Sequence, residues 1–534
     1  MIDMAYLAGK PVLILKENTE EIKGKNALSV NIQAIKTLST AIKSTFGPRG
    51  LNKMIIDSMG DITVSGNGAR ILEQMGVEHP AAKMIVDLSK SINKNVGDGI
   101  KSSVILIGEL LTRTEEMISQ DLSPTTIYEG YIRALRECKT FLKELAVKVD
   151  LNDEKIIKNV ISTALNSKSL VDLRDQFTDI LYSTFKQIMQ KENDKFTLDL
   201  DDLQIIKKVG KSLSSSHFVP GIIVDKEVVS STMPKSIKNA KIALIDGALE
   251  ITKTDFSSEI KIALPTDIGQ YLKQEEQIIK GYVDSIQKTG ANVVFCQKGI
   301  DETAQHFLTQ HGIMAIRRVK HSDMVKLSKT CGAPIITQIK SISSNDLGSA
   351  DLVNEQKLGN ENMVFVEGCK NPKAVSVIIR GGTELIIDEA ERSLKNGLAA
   401  ARNLLESPYI VYGGGSIEIE LHKKLIAVAQ KIGGKQQISI ENFANALEII
   451  PISLIENTGM DPLDILTNLH AKVDYSKQKY FGFDAFTNAV VDVKELGLLE
   501  PINLKNQIYR LAAEFAISFI RIDDFIRSSK KTPK

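Results

Sequence analysis

Apolar positions in the first third of the chain recur at helical spacing and are punctuated by glycine. Ile35, Leu38 and Ile42 mark one face of a helix that must stop at Gly47-Pro48. The short run Met54-Ile55-Ile56 and the alternating Ile62-Thr63-Val64 flank Ser58–Asp61 and predict a small hairpin. After His79-Pro80 a helix carries Met84, Leu88 and Ile92 on one face and ends at Gly97-Asp98-Gly99. The next begins at once, with Val104, Ile107 and Leu111 inward. Ser123-Pro124-Thr125 opens another, through Ile132, Leu135 and Phe141.

The pattern then mixes. Between Asp150 and Ser214, helical faces (Ile156, Val160, Leu165; then Phe177, Leu181, Phe185) precede strands near Phe196–Leu200 and Ile205–Val209. Short apolar runs at Gly221–Val224, Ile242–Ile245, Val293–Phe295 and Met363–Val366 alternate with helical stretches, which predicts an α/β or α+β module. Leu249–Leu264 is irregular and charged. Pro265-Thr266-Asp267 then starts a long amphipathic helix through Leu272, Ile279, Val283 and Ile286. Val375–Ile379 reads as a strand, followed by a helix through Leu385, Ala390, Leu394 and Leu398. Tyr409–Val411 reads as a strand, Gly413-Gly414-Gly415 as a tight loop and Ser416–Ile432 as a helix. Helical ends around a mixed middle suggest nesting: the two ends form one domain, with others threaded between them.

Composition narrows the choice of function. At roughly 150 residues per domain, 534 residues make about three to four domains. Lys+Arg 67 against Asp+Glu 66 leaves no charge excess for nucleic acid or a lipid surface. Trp is absent and aromatics are 5%, so base-stacking platforms are a poor fit. No membrane-spanning run is expected, and Met1-Ile2-Asp3-Met4 does not open a signal peptide. Cys138, Cys296, Cys331 and Cys369 are too scattered for a disulfide framework or a metal knuckle. They read as buried thiols of a cytoplasmic protein. The seven histidines form no His-x-x-x-His pair, so no histidine metal site is expected.

Three glycine clusters carry candidate chemistry: Gly47-Pro48-Arg49-Gly50 after a helix, Gly97-Asp98-Gly99 before one, and Gly413-Gly414-Gly415 between strand and helix. Backbone N–H groups at an unobstructed helix start hold phosphate oxygens. Asp98 adds a hard oxygen suited to Mg²⁺, and Lys101 lies within reach of the same place. Taken singly, each cluster is better explained by a helix cap or tight turn. None matches a Walker loop or a dinucleotide fingerprint.

Taken together they resemble something specific. Phe46-Gly47-Pro48-Arg49-Gly50-Leu51-Asn52-Lys53-Met54, Gly60-Asp61-Ile62, Glu78-His79-Pro80-Ala81-Ala82-Lys83 and Gly97-Asp98-Gly99 resemble the nucleotide-binding part of the group II chaperonins, of the archaeal thermosome type. Glu389-Ala390-Glu391-Arg392-Ser393-Leu394, Gly413-Gly414-Gly415, Gly459-Met460-Asp461-Pro462 and Glu500-Pro501 extend the likeness, in order, along the chain. The resemblance implies a multidomain chaperonin fold. A mainly α equatorial domain would comprise 1–146 and 402–534, an α/β intermediate domain 147–215 and 368–401, and an α/β apical domain 216–367. A helical protrusion at about 249–286 would form a built-in lid. It also implies a double ring of paralogous subunits that encloses unfolded client proteins and is driven by ATP and Mg²⁺. By position, Thr45, Phe46, Gly47 and Pro48 would line the nucleotide, and Asp98 would hold Mg²⁺. Gly99, Ile100, Lys101 and Ser102 would sit at the phosphates. Gly414 and Gly415 would approach the ribose and base, with Glu500 beside them.

The departures from that pattern fall on its chemistry. The family usually has an Asn-Asp-Gly turn where this chain reads Gly66-Asn67-Gly68, and an Asp where it has Asn396. Both acids position or activate the attacking water in the family. Asn67 and Asn396 cannot take a proton. The threonines expected after Gly99 are Ile100 and Lys101, Tyr412 replaces a proline, and Asn52 replaces an acid. The expectation is a ring subunit that binds nucleotide but hydrolyses it weakly or not at all. A fully active ATP-hydrolysing subunit is the alternative. A small-substrate phosphate-binding enzyme is more remote, because no nucleophile–base pair accompanies the glycines.

Overall fold

The computed structural model describes residues 5–7, 10–12, 19–57, 59–166, 170–192, 195–250, 265–370, 372–475 and 480–528. The chain forms two compact units, one from Met1–Val171 with Ala399–Lys534 and the other from Asp172–Leu398. The first leg of the first unit carries α1 (Gly24–Lys43), α2 (Gly68–Gln74), α3 (Pro80–Asn95), α4 (Ile100–Ser119), α5 (Pro124–Leu145) and α6 (Glu154–Ala164). The second unit carries α7 (Arg174–Ile188), α8 (Pro265–Thr289), α9 (Glu302–Gln310), α10 (His321–Cys331) and α11 (Glu384–Glu406), whose last turns return to the first unit. The returning leg adds α12 (Ser416–Ile432), α13 (Gly434–Leu447), α14 (Ile449–Glu456), α15 (Pro462–Tyr475) and α16 (Ile502–Ile520).

In the first unit, α4 is the central helix, packed by α1, α13 and α16. Its Val104, Ile107, Leu110 and Leu111 are fully buried. A Cβ at Gly108 would lie 2.3 Å from Ser39 Oγ, so α1 and α4 approach as closely as they do only because Gly108 has none. The face of α5 is shifted from the expected one. Ile132 is 41% exposed, while Ile127, Tyr131, Ala134, Cys138 and Leu142 are inside. Tyr131 can be buried because its hydroxyl donates to the Leu110 carbonyl at 2.9 Å. In α3, Met84 is likewise exposed and Ile85 buried; in α11, Leu385 is exposed and Ile387 buried. The hairpin forms from Lys53–Ile56 and Ile62–Ser65, paired antiparallel.

Strand Val147-Lys148 and α6 belong to this unit. The pairing of Val147 with Ile410 and the bond from the Leu499 N–H to Thr163 Oγ1 tie them to the returning leg. One stretch departs from the expected lack of a membrane-length apolar run. Gly434–Glu456 is long and apolar enough by composition to cross a bilayer. It is two helices, α13 and α14, meeting at Glu448, with 61% of its most apolar window buried inside the protein.

The second unit has two larger sheets beside a small antiparallel hairpin, Gln190–Glu192 with Lys195–Thr197. One runs in the order Gly221–Val224, Glu361–Glu367, Gly348–Leu358, Ser236–Ile245, Val293–Cys296, Met314–Ile316, with Ile335-Ile336 pairing Ser236–Ile245. Ser236–Ile245 is its pivot, parallel to Val293–Cys296 and antiparallel to Gly348–Leu358. The other orders His217–Val219, Val375–Gly381 and Leu203–Val209. In α8, Ile279, Val283 and Ile286 pack into the core, whereas residues 273–278 are exposed on every side. Of the segment expected as the protrusion, residues 251–264 lie outside the described residues, as does the Lys530-Lys531 tail.

All four cysteines are buried and unpaired. Burial pushes the thiols of Cys296 and Cys331 up to about 11 and that of Cys369 up to about 12, and raises Cys138 further. Near pH 8 they stay protonated and unreactive. Iodoacetamide should therefore modify the native chain at least ~100-fold more slowly than the urea-unfolded chain. Mass spectrometry of timed samples measures this.

Candidate nucleotide site

Four segments of the first unit meet at one place. The first follows α1. Thr45 is buried, with its Oγ1 donating to the Ile42 carbonyl at 2.7 Å. Gly47 turns at φ +73, where a Cβ would lie 2.5 Å from Leu454 Cδ2. Asn457 Nδ2 locks this turn by donating to the carbonyls of Lys43 and Phe46, each at 2.8 Å. Phe46 packs on the core, and Pro48 is half-buried beside it.

The second segment is the start of α4. Gly99, at φ 83 and ψ 4, is its N-cap and supplies no side-chain cap, which leaves the first N–H groups of the helix uncapped by a side chain. Asp98 Oδ1 accepts the Gly99 N–H at 2.7 Å. Lys101 Nζ donates to the Thr45 carbonyl at 2.9 Å and so bridges the first two segments. A Cβ at Gly68 would lie 2.8 Å from Lys101 Cγ and 3.5 Å from Ile100 Cγ2. The start of α2 therefore packs on the start of α4. The N-cap of α2 is Asn67, whose Oδ1 accepts the Arg70 N–H at 3.1 Å. Ile100 is buried in the core and Ser102 half-buried.

The third segment is Gly413-Gly414-Gly415, leading into α12. Gly415, at φ 79 and ψ 0, again caps without a side chain. A Cβ there would lie 2.6 Å from Pro451 Cβ, and one at Gly414 would lie 2.9 Å from the Phe483 carbonyl. Pro451 and Leu454 sit one turn apart on α14, so a single helix supports both the first and third segments. Tyr412, just before, stacks on Tyr480 with centroids 4.0 Å apart. The fourth segment is strand Leu499–Pro501, where Glu500 pairs with Val411. Glu500 Oε1 would be 2.8 Å from a Cβ at Gly413.

Beneath lies a buried charge network. Lys505 Nζ is 2.7 Å from Glu418 Oε1 and 2.9 Å from Glu500 Oε2. The Tyr509 hydroxyl donates to the same Glu418 Oε1 at 2.7 Å. Leu504 and Ile508 of α16 lie 2.9 Å from where a Cβ of Gly99 would be. Burial alone would lower the Lys505 ammonium, but Glu418 and Glu500 hold it above its usual range. Desolvation raises Asp98, against the Gly99 N–H, Lys101 and Lys505. It also raises Glu500, against Lys505. Asn457, Glu418, Lys505 and Tyr509 were not singled out from the sequence. Their one signal there is Glu418, a charge standing between Ile417 and Ile419.

Thr45, Phe46, Gly47, Pro48, Asp98, Gly99, Lys101, Gly414, Gly415 and Glu500 thus converge, with Asn67 adjoining through Gly68. The donor set fits a nucleoside triphosphate with Mg²⁺. Two helix starts offer N–H groups without side chains in the way, and Asp98 is a desolvated carboxylate that a cation would stabilise. Asn396 lies in the second unit on α11, one turn before Ala399. Ala399 itself is in the first unit, its Cβ 2.5 Å from where a Cβ of Gly97 would be.

The sequence model of the TCP-1/cpn60 chaperonin family matches residues 38–530. The chain is 45% identical to thermosome subunit alpha of Archaeoglobus fulgidus over 523 residues, 98% of this chain and 96% of that one. It is 44% identical to thermosome subunit beta of Sulfurisphaera tokodaii over 98% of this chain and 95% of that one. For the thermosome subunit of Pyrococcus horikoshii the figures are 43%, 99% and 96%.

Two substitutions test the electrostatics. Lys505→Met should leave two buried carboxylates unpaired and cost about 3–5 kcal/mol, read as a lowered urea midpoint. Asp98→Asn should act the other way. Because the folded protein raises the pKa of Asp98, the ionised carboxylate costs stability at neutral pH, and that cost fades as pH falls through the raised value. Without nucleotide, the variant should melt above the parent at neutral pH, with the gap closing in acid.

Proposed function

This chain belongs to the TCP-1/cpn60 chaperonin family, and from that premise we propose that it is a group II chaperonin subunit whose ATP site binds better than it hydrolyses. It works in a cytoplasmic double ring with paralogous subunits, around unfolded client proteins. The observation that carries the binding half is the convergence of two glycine-capped helix starts with Asp98 over α14 and α16. The N–H groups after Gly99 and Gly415 hold phosphate oxygens. Gly414 lets the ribose and base approach the backbone, and Glu500 walls that side. Asp98 would hold Mg²⁺, and a bound Mg²⁺ would supply Lewis-acid stabilisation of the phosphate charge.

The hydrolytic half is weakened by the residues found where the family keeps acids and hydroxyls. The Asn67 amide keeps the helix-capping bond that an aspartate would make, since the two are near-equal caps. What is missing is the negative charge and the proton-accepting oxygen. Asn396 lacks them too. Ile100 has no hydroxyl to offer and is buried in the core. Lys101 adds a fixed positive charge at the start of α4, which favours holding an anion but takes no proton from water.

Steady-state turnover by the purified chain, alone and mixed with a paralogous subunit, tests this reading. The chain should bind ATP yet turn it over at least ~100-fold more slowly than the paralogue. Asn67→Asp with Asn396→Asp should raise the rate, and Asn396→Asp alone should recover only part of it. Equal rates for the chain and its paralogue would overturn the proposal.

A further inference from the structure

Spacing along the chain offered no histidine pair, but the fold makes a cluster from three separate elements. His422 comes from the second turn of α12, Glu448 from the junction of α13 and α14, and His470 from α15. Glu448 Oε1 lies 2.7 Å from His470 Nε2 and 3.4 Å from His422 Nδ1. All three candidate donor atoms fall within 4.8 Å of one another. The side chains of His422 and Glu448 are each 15% exposed and that of His470 is 28% exposed.

We propose that His422, Glu448 and His470 form a site for a divalent transition metal, with zinc the best fit. The cluster as it stands is incomplete. His422 Nδ1 is buried yet has no hydrogen-bond partner, although a carboxylate oxygen sits 3.4 Å away. An orphaned buried ring nitrogen facing a carboxylate and a second imidazole is an unfilled position of the kind a bound cation would satisfy.

Size agrees as well. Bonds of 2.0–2.1 Å in a tetrahedron set ligand atoms about 3.3 Å apart, between the two carboxylate–imidazole separations found here. Two imidazoles and a carboxylate are a borderline-soft set that suits zinc over magnesium or calcium. Three protein ligands leave a fourth position for water, reached past the more exposed His470. The cluster uses none of the residues placed at the candidate nucleotide site. Its effect would be mechanical. The metal would pin α12, which starts at Gly415, to the α13–α14 junction, and α14 carries Pro451 beneath Gly415.

The test uses the full chain stripped with a chelator and titrated with Zn²⁺ against a chromophoric competitor, with Co²⁺ as an optical probe. One Zn²⁺ per chain should bind and raise the thermal midpoint. Glu448→Gln and His470→Asn should each weaken binding by at least ~10-fold. Where a variant fails to fold, X-ray absorption on the parent protein decides. A shell of imidazole nitrogen and carboxylate oxygen at about 2.0–2.2 Å supports the site. A sulfur or water-only shell, no stoichiometric binding, or equal affinity in folded variants overturns it.

Discussion

A single ammonium group organises the floor of the candidate site. Lys505 is 5% exposed and answers two carboxylates, one from α12 and one from the strand before its own helix. Taking three charges out of water is expensive, and the arrangement persists only because each charge meets an opposite one at hydrogen-bond distance. The geometry is thereby constrained. Glu418 fixes the first turn of α12, Glu500 fixes the strand beside Gly413, and α16 presents Leu504 and Ile508 to Gly99. An apolar floor of the same volume would pack as well, but it would not set the helix starts at one register.

Above that floor, glycine does two separate jobs. At Gly99 and Gly415 it adopts a left-handed conformation that other residues rarely take, and it leaves the helix starts without a side-chain cap. At Gly413 and Gly414 it makes room, because a Cβ would collide with Glu500 and Phe483. The cleft is therefore lined by backbone, and its side-chain chemistry rests on few groups. On the proposed reading, that is why exchanging acids for amides would weaken catalysis and disturb the fold so little. Asn67 still caps α2, and Ile100 adds to the core.

Much of the fold was legible along the chain because the relevant signals are local. Helix stops at Gly47-Pro48, the start after His79-Pro80 and the bounds of Ser416–Ile432 follow from backbone chemistry that neighbours cannot change. The faces of α3, α5 and α11 were less legible. Apolar residues stand on adjacent positions there, and the buried side of α5 is chosen by Gly130, Ala134 and Cys138, small residues that admit a neighbouring helix. The glycine loops were visible as motifs. Their convergence was not, since it depends on Pro451, Leu454, Asn457 and Lys505, each supporting a partner remote in sequence. The histidine cluster was hidden for the same reason, its three members arriving from different helices.

The account stands or falls on the separation of binding from hydrolysis. The most direct measurement loads the purified chain with radiolabelled ATP and Mg²⁺, removes free nucleotide, and follows the identity of what stays bound over time. The account predicts that bound nucleotide remains ATP long after a competent relative has converted its own. Prompt appearance of bound ADP, or failure to retain nucleotide at all, would contradict it.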